Sequence, residues 1–271
     1  ISATSLTVKA GGAVTQNAAA TVTGLASVDA GTNNVTLDQA NNALGSVAVT
    51  GGAVSITDKE ALALDAIKAT SLTVKAGGAV TQVADKALAV TGATSVDAGN
   101  NNVTLANTGN DFGSVGVTGG AVSITDTNAV VLDAISASSL VIKAGGDITQ
   151  IAGSALLIGG NTNLSTTNDI NLPNLENRFD GDITLKAQNV TLGSDRLIRI
   201  VQRDVGSIAL LGGPNANVAE REAAIASAQA LEPRFTLPEE RAALEERSGD
   251  VAPFFIAANQ ARASGPAQLV V

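Results

Sequence analysis

One twelve-residue stretch recurs along this chain and limits what the chain can fold into. Residues Ser5 to Gln16 read Ser-Leu-Thr-Val-Lys-Ala-Gly-Gly-Ala-Val-Thr-Gln, and the same letters return at Ser71 to Gln82. A degraded third copy occupies Ser139 to Gln150. Recurrence at a long, nearly fixed spacing predicts a solenoid, in which each structural unit stacks only on its neighbours.

Each long repeat divides into three shorter units that share one apolar position. The copies of that position are Val8, Val28, Val49, Val74, Val96, Val117, Ile142, Leu164, Leu185 and Leu210. The spacings between these positions repeat one order three times. Two shorter spacings of similar length are followed by a longer one, as from Val49 to Val74. One full long repeat therefore runs from Val28 to Val96, and the first copy is slightly shorter. We expect one coil per unit and these residues in one inward column.

Within each unit, apolar residues alternate with small or polar ones, as in Val47-Ala48-Val49 and Leu62-Ala63-Leu64. A period of two is typical of strands, and Thr and Val favour a pleated surface. Gly pairs such as Gly77-Gly78 and the Asn-rich stretch 100–102 separate the strands. Because Gly and Asn tolerate a left-handed backbone, we assign them to sharp corners. The prediction is an all-β parallel β-helix of about ten coils over residues 1–211.

Two side-chain patterns follow from that alignment. The outward positions Lys9, Asp29, Thr50, Lys75, Asp97, Thr118 and Lys143 should form a ladder, in which Lys9 lies beside Asp29 and Lys75 beside Asp97. Opposite charges on adjacent strands are mildly stabilising. Leu44, Phe112 and Phe179 share one place in the middle unit and are expected to form an inward stack.

The tail, residues 212–271, has a different composition. Asn217 to Glu220 and Thr236 to Glu239 have the pattern of capping boxes, and predict helices ending near Leu231 and Arg247. A solenoid end exposes strand edges and apolar core, so we expect this segment to form a short α-helical cap. The apolar stretch from Val251 to Ile256 should pack on the last coils or on the cap helices.

Composition restricts the chemistry. The chain has no His and no Cys, so the common zinc, iron and copper sites and mechanisms based on a Cys nucleophile or a His base are not expected. Its net charge of −9 argues against a general nucleic-acid role. We therefore assign no catalytic, cofactor-binding or metal-binding residues, and expect neither catalytic activity nor a bound transition metal.

Several groups of residues are candidate ligand sites. Asp58, Glu60, Asp65, Asp126 and Asp133 offer calcium-type oxygen ligands or form solvated acidic loops. Arg196, Arg199 and Arg203 form a basic patch for an anionic glycan or are outward residues of the last coils. The outward positions mix Thr with Ala, Ser, Lys and Asp, whereas an ice-binding face would hold regular rows of Thr.

The repeats resemble a known family. The stretches from Ser46 to Asp58 and from Asn101 to Gly113 are similar to repeats of filamentous haemagglutinin-like proteins, the large exoproteins of two-partner secretion in Gram-negative bacteria. The resemblance covers residues 1 to about 211 and rests on repeat style. It implies a right-handed β-helix, export through an outer-membrane transporter, and service as an adhesin shaft. The family's N-terminal secretion domain and the Cys pair that some members use for anchoring have no counterpart here.

Three functions stay open at this point. The first is the structural shaft and C-terminal part of a secreted or surface-displayed adhesin, mediating attachment or biofilm contacts, with host or bacterial surface glycans or proteins as ligands. The second is a glycan-active β-helix lyase or hydrolase, which would need clustered basic and acidic groups on one face. The third is a tail that acts by itself, as a transporter plug or a toxin-like tip. Since Ile1 corresponds to Ile67 and Ile135, we expect the chain to be a fragment that begins inside a repeat.

Overall fold

A computed structural model describes residues 1–212 and the backbone of residues 255–259. The described part is an all-β parallel solenoid of about 11 turns, so the predicted fold class is confirmed and the predicted ten coils are slightly too few. Its predicted right-handed coiling stays a prediction. No helix occurs among the described residues, and none there is therefore long and apolar enough to cross a membrane.

Among the described residues, twenty-one strands form the solenoid and a twenty-second pairs with the last of them. They are β1 (Ser2–Ala3), β2 (Leu6–Lys9), β3 (Val14–Thr15), β4 (Thr21–Asp29), β5 (Val35–Leu37), β6 (Ala43–Thr50), β7 (Ala53–Asp58), β8 (Leu62–Ala69), β9 (Ser71–Ala76), β10 (Val80–Gln82), β11 (Leu88–Asp97), β12 (Val103–Leu105), β13 (Asp111–Asp126), β14 (Val130–Ala144), β15 (Ile148–Gln150), β16 (Leu156–Ile158), β17 (Thr162–Ser165), β18 (Ile170–Leu172), β19 (Arg178–Phe179), β20 (Asp182–Ser194), β21 (Arg199–Gly212) and β22 (Phe255–Asn259).

The core is a column of aliphatic side chains between the turns. Inward residues alternate with outward ones along each strand, so that in β9 Leu72, Val74 and Ala76 are buried while Thr73 and Lys75 are exposed. Val8 pairs with Val28, and Val28 with Val49, as the unit spacing predicts. Parallel pairing places such equivalent residues about 4.8 Å apart, so that every inner turn is covered by a turn above it and a turn below it.

The predicted column is wrong at the longest step of each repeat. Val49 pairs with Ile67 and not with Val74, while Val74 pairs with Ile56. The same correction applies to Val117, which pairs with Ile135, and to Leu210, which pairs with Leu192. One turn closes well before the next sequence equivalent is reached, because stacking follows turn geometry rather than sequence similarity.

One sequence repeat is consequently not a whole number of turns. Three turns above Val28 lies Leu88, reached through Val49 and Ile67, whereas the sequence equivalent of Val28 is Val96, further along the same strand. The next turn closes only where Ala89 meets Asp111, so the stretch from Leu88 to Val96 is about a third of a turn. Each repeat therefore spans about three and a third turns.

The offset separates residues that the sequence alignment places together. Val74 belongs to a column with Leu37, Ile56, Val96 and Val117. Val8 is absent from that column, because its own column continues through Val28 and Val49.

The strand pairing shifts register near each repeat junction. The end of β6, from Ser46 to Thr50, is covered by two parts of β8, with a register shift between Val47 and Val49. Asp65 and Ala66 occupy the resulting bulge, because Val47 pairs with Leu64 and Val49 with Ile67. Equivalent shifts occur between Val115 and Val117 and between Ile183 and Thr184.

The predicted ladder and inward stack are correct only in part. Lys9 pairs with Asp29 at 3.9 Å (Nζ to Oδ2), and Lys75 lies in register with Asp97. Thr50, however, lies beside Lys68 and not beside Lys75. Leu44, Phe112 and Phe179 are all buried as predicted, but each pairs with its own neighbour (Val22, Val90 and Ile158) and they do not stack on one another.

The Gly pairs serve a different purpose from the one predicted. Positive φ angles occur at Gly31, Gly99 and Gly153, and not at the paired glycines. A Cβ atom on Gly77 would overlap the carbonyl oxygen of Lys59 in the turn below. Glycine is required there because adjacent turns bring their backbones into contact.

At the C-terminal end, β22 runs antiparallel to β21, with Phe255 opposite Leu211 and Ile256 opposite Leu210. This placement agrees with the expectation that the Val251–Ile256 stretch packs on the last coils, for the two residues of it that are described. The strand occupies the free edge of Ser207–Leu211. The predicted helices at 217–231 and 236–247 lie outside the described residues, as does most of the segment 212–271 for which a capping role is predicted.

Candidate functional site: the corner cluster

Each repeat buries one asparagine in a corner. Asn42, Asn110 and Asn177 are completely buried. In the middle repeat, Asn110 Oδ1 accepts hydrogen bonds from Gln82 Nε2 at 2.6 Å and from the backbone amide of Leu88 at 2.9 Å. Its Nδ2 donates to the carbonyl oxygens of Leu105 and Thr125 at 3.1 and 3.2 Å, and to Gln82 Oε1 at 3.1 Å. The side chain thus satisfies backbone groups from neighbouring turns.

The partner glutamine is the last residue of the recurring twelve-residue stretch. Gln16 and Asn42 form the same pair in the first repeat, and Gln150 and Asn177 form it in the third, each with an Nε2–Oδ1 distance of 2.6 Å. Three repeated Gln–Asn pairs at three repeated corners show that this polar contact is a structural element of the repeat. A buried amide without such partners would cost free energy.

A buried aspartate lies next to the first two of these asparagines. Asp58 Oδ2 accepts from the amide of Leu44 at 2.6 Å, and its Oδ1 accepts from the amide of Glu60 at 2.8 Å. Asp126 repeats the arrangement with Phe112 and Asn128 at 2.8 and 2.9 Å. We call each set of glutamine, asparagine and aspartate a corner cluster: Gln16, Asn42 and Asp58, and then Gln82, Asn110 and Asp126.

Burial governs the protonation of these aspartates. Loss of hydration raises the pKa of Asp58 above its ordinary value, and the two backbone amide donors oppose that rise only in part. The pKa of Asp126 is raised for the same reason. In the third repeat the equivalent residue is Ser194, whose hydroxyl is buried, donates to the carbonyl oxygen of Asn177 at 2.9 Å and accepts from the amide of Arg196. The corner therefore tolerates an uncharged residue.

Two other acidic candidates, Asp65 and Asp133, lie in the bulges near the repeat junctions. Asp65 accepts from the amide of Ala66 and forms an ion pair with Lys86 at 3.8 Å. Asp133 accepts from the amide of Ala134 and from the Ser154 hydroxyl at 2.5 Å. The acidic residues are thus not one loop: Asp58 and Asp126 are buried and hydrogen-bonded, while Glu60 is exposed. Within residues 1–212, no group of three or more acidic side chains has the arrangement that would hold a metal ion.

The arginine candidates do not share one environment. Arg196 and Arg199 are exposed, and Arg199 forms an ion pair with Asp182. Arg203 is half-buried, and its backbone lies in register with that of the buried Leu185. Arg178 pairs with Asp180 at 2.6 Å, and this contact lowers the pKa of Asp180. Acidic partners thus neutralise part of this basic region.

The corner cluster was not foreseen from the sequence, although a signal was present. A glutamine and an asparagine recur at matching places in all three copies, and turn residues alone do not need the same amide each time. Chemically, the cluster can fix corners and satisfy buried amides. It offers neither a nucleophile nor a base that faces solvent, because its members are directed at backbone groups.

These observations define the class: a β-solenoid repeat protein whose recurring polar residues hold its own turns together. The chain belongs to the family described as "Repeats of unknown function (DUF5649)", which matches residues 1–50, 51–118 and 119–186. The second and third matched segments each have the length of one long repeat, and the first is shorter. No curated protein and no solved structure matches the chain significantly.

Proposed function

We propose that this chain is a structural shaft in a secreted or surface-displayed bacterial adhesin, and that it mediates attachment or cell–cell contacts by holding binding regions away from the cell. The observation that supports this most is that the recurring corner-cluster side chains form hydrogen bonds within the solenoid. Gln82, Asn110 and Asp126 form hydrogen bonds to other groups of the solenoid. These recurring amide and carboxyl groups are therefore not available to a ligand.

The shape fits this role. About 11 turns at roughly 4.8 Å per turn give a rod of about 50 Å. Many outward strand positions carry small side chains, such as Thr73, Thr104 and Ser123. Such a rod can hold other regions at a fixed distance from the cell, and we propose no enzymatic activity for it.

Export and partners are part of the same proposal. The resemblance to two-partner secretion exoproteins supports an outer-membrane transporter as the export partner and the cell surface or medium as the location. Glycans or proteins on host or bacterial surfaces would be the ligands of the assembled adhesin. The net charge of −9 disfavours a nucleic-acid partner.

The test is made in the source organism. An antibody raised against residues 1–212 should label intact, unpermeabilised cells or the culture medium, and deletion of the gene should reduce attachment. Complementation with an outward variant, Thr104→Ala with Ser123→Ala, should restore attachment because the rod is intact. Complementation with Ile124→Asp should fail, because Ile124 is completely buried in the core.

Length offers a second readout. Removal of residues 51–118 deletes one whole family repeat and joins Thr50 to Gly119, which restores the local sequence Thr-Gly-Gly. The shortened rod should fold and lose roughly 16 Å, measurable by small-angle X-ray scattering. Label confined to the cytoplasm, unchanged attachment in the deletion strain, or turnover of a polysaccharide by the purified chain would each overturn the proposed function.

A further inference from the structure

Four asparagines of the chain stand in the tripeptide pattern Asn-x-Ser/Thr, the acceptor pattern for N-linked sugars. They are Asn34, Asn102, Asn163 and Asn189. In each tripeptide the middle residue is buried in the core (Val35, Val103, Leu164 and Val190). Because side chains alternate between the two faces of an extended chain, the asparagine and the hydroxyl residue of each tripeptide lie on the outer face.

The first two of these asparagines have an amide nitrogen without a partner. Asn34 is exposed, and its Oδ1 accepts a hydrogen bond from the amide of Ala53 at 3.0 Å. Asn102, one repeat later, is exposed and is held in the same way by the amide of Ala121, also at 3.0 Å. Among the described residues, Nδ2 of these two side chains donates to no group, and the exposed Asn163 forms no side-chain hydrogen bond. All three amide nitrogens are therefore available to a reactant from solvent.

Asn161 has the same environment without the motif. It is exposed, and its Oδ1 accepts from the amide of Asp182 at 3.0 Å, as Asn34 accepts from Ala53. Two positions later stands Asn163, which has no hydroxyl group. Asn161 is thus a control for the tripeptide pattern within the same protein.

Asn189 has the motif without a free amide. Its Nδ2 donates to Oδ1 of Asp169 at 2.9 Å, and its Oδ1 accepts from the Ser207 hydroxyl at 2.6 Å. Both ends of this side chain are therefore engaged by neighbouring turns, although the tripeptide with Thr191 is complete. Asn189 is the control for the state of the nitrogen.

We propose that Asn34, Asn102 and Asn163 are acceptor sites for N-linked sugars, and that Asn189 is not modified because the transfer takes place on the folded solenoid. The donor is a sugar activated at C1 by a phosphate leaving group. Nδ2 forms a bond to C1, the bond from C1 to the phosphate oxygen breaks, and the phosphate leaves with the electron pair while Nδ2 loses one proton. The Oδ1 atom keeps its contact with the backbone. The proposal is independent of the adhesin role.

The offset between repeats and turns determines the sides from which the sugars project. Val35 lies below Val54 and Leu72, whereas its sequence equivalent Val103 lies above Val80. The two equivalent acceptors, each directly before one of these valines, therefore belong to different columns of the rod. Sugars on both would cover more than one side of it.

The test uses the full chain purified from its source organism. Peptide mapping by mass spectrometry, with fragmentation that retains the sugar, should find a sugar on each of the three proposed acceptors and none on Asn161 or Asn189. Stepwise masses of single sugars would identify a nucleotide-activated sugar as the donor. One fixed oligosaccharide mass would identify a lipid-linked donor.

Two substitutions should move the modification. Asn163→Thr places a hydroxyl two positions after Asn161, so position 163 should lose its sugar and Asn161 should gain one. Asp169→Ala frees the amide nitrogen of Asn189, which should then gain a sugar. Asp147→Ala is the matched control for the second change, because Asp147 accepts from the amide of Asp169 and has no contact with Asn189; it should add no sugar.

Three results would overturn the proposal. The first is a chain from the source organism without sugar on the proposed acceptors. The second is equal modification of Asn189 and Asn34, since the environment of the amide would then be irrelevant. The third is a sugar that persists on Asn34 in the variant Thr36→Ala, since the tripeptide would then not be recognised.

Discussion

Val74 stacks on Ile56 and not on Val49, the residue that its sequence repeat places below it. Because of this offset, one long repeat winds through about three and a third turns, and identical stretches occupy different columns of the core. A one-residue bulge at Asp65 and Ala66 accompanies the step at which the sequence alignment and the pairing diverge.

The corner asparagine should be essential for stability. Asn110→Ala leaves Gln82, the amide of Leu88 and two carbonyl groups without their partner inside the protein. We expect a loss of about 2–3 kcal/mol in the free energy of unfolding, measured by urea denaturation. Asn100→Ala, at an exposed corner, is the control and should stay within about 0.5 kcal/mol of the parent. Equal losses for the two variants would contradict a structural role for the corner cluster.

Burial of Asp58 and Asp126 should make their contribution to stability depend on pH. Their pKa values are raised in the folded state, so between the ordinary value of 3.8 and the raised value the folded chain binds more protons than the unfolded chain. This contribution therefore increases as pH falls through the raised pKa, and is complete below 3.8.

The comparison is with the double variant Asp58→Asn, Asp126→Asn. The difference in unfolding free energy, parent minus variant, should become more positive as the pH is lowered from 7 to 4. The subtraction removes the opposite dependence of Asp180, whose pKa is lowered by Arg178. A difference that is constant across this range would show that the two carboxyl groups titrate normally.

The buried hydroxyl of Thr94, which has no hydrogen-bond partner, should lower the stability of the fold. Thr94 is 2% exposed, its Oγ1 has no hydrogen-bond partner, and it is stacked between Leu72 and Val115. Thr94→Val should raise the free energy of unfolding by about 1 kcal/mol, because it removes the cost of burying that oxygen. The exposed Thr104→Val is the control. A destabilised Thr94→Val variant would mean that the hydroxyl is satisfied in solution.

The glycine pairs allow a test within identical sequence. Gly77→Ala places a Cβ atom against the carbonyl oxygen of Lys59 and should cost about 1–3 kcal/mol. Gly11→Ala, in the same sequence context, meets nothing within 4 Å and should have no measurable effect on thermal unfolding. If both variants were equally destabilised, backbone conformation and not the contact between turns would be the reason for glycine.

Part of this architecture can be predicted from sequence because it is local or regular. Alternation such as Leu72-Thr73-Val74 depends only on the pleat, and the shorter steps of the repeat pair residues correctly because each equals one turn, as for Val74 and Val96. The pairing predicted across the longest steps was wrong because equivalent positions in sequence need not stack. Stacking depends on the number of residues in each turn. Asn110 was missed because its partners are distant in sequence and meet only after coiling.

Engineered disulfides test the offset most directly, because the chain has no cysteine of its own. Ser55 and Thr73 are in register on adjacent turns, at the spacing of about 4.8 Å that a disulfide can bridge. The variant Ser55→Cys with Thr73→Cys should therefore form an intramolecular crosslink under mild oxidation, detected by mass spectrometry. Ala48→Cys with Thr73→Cys, the pair that sequence alignment would place together, should stay reduced. Crosslinking of the Ala48 pair without the Ser55 pair would contradict the structure of the repeat described above.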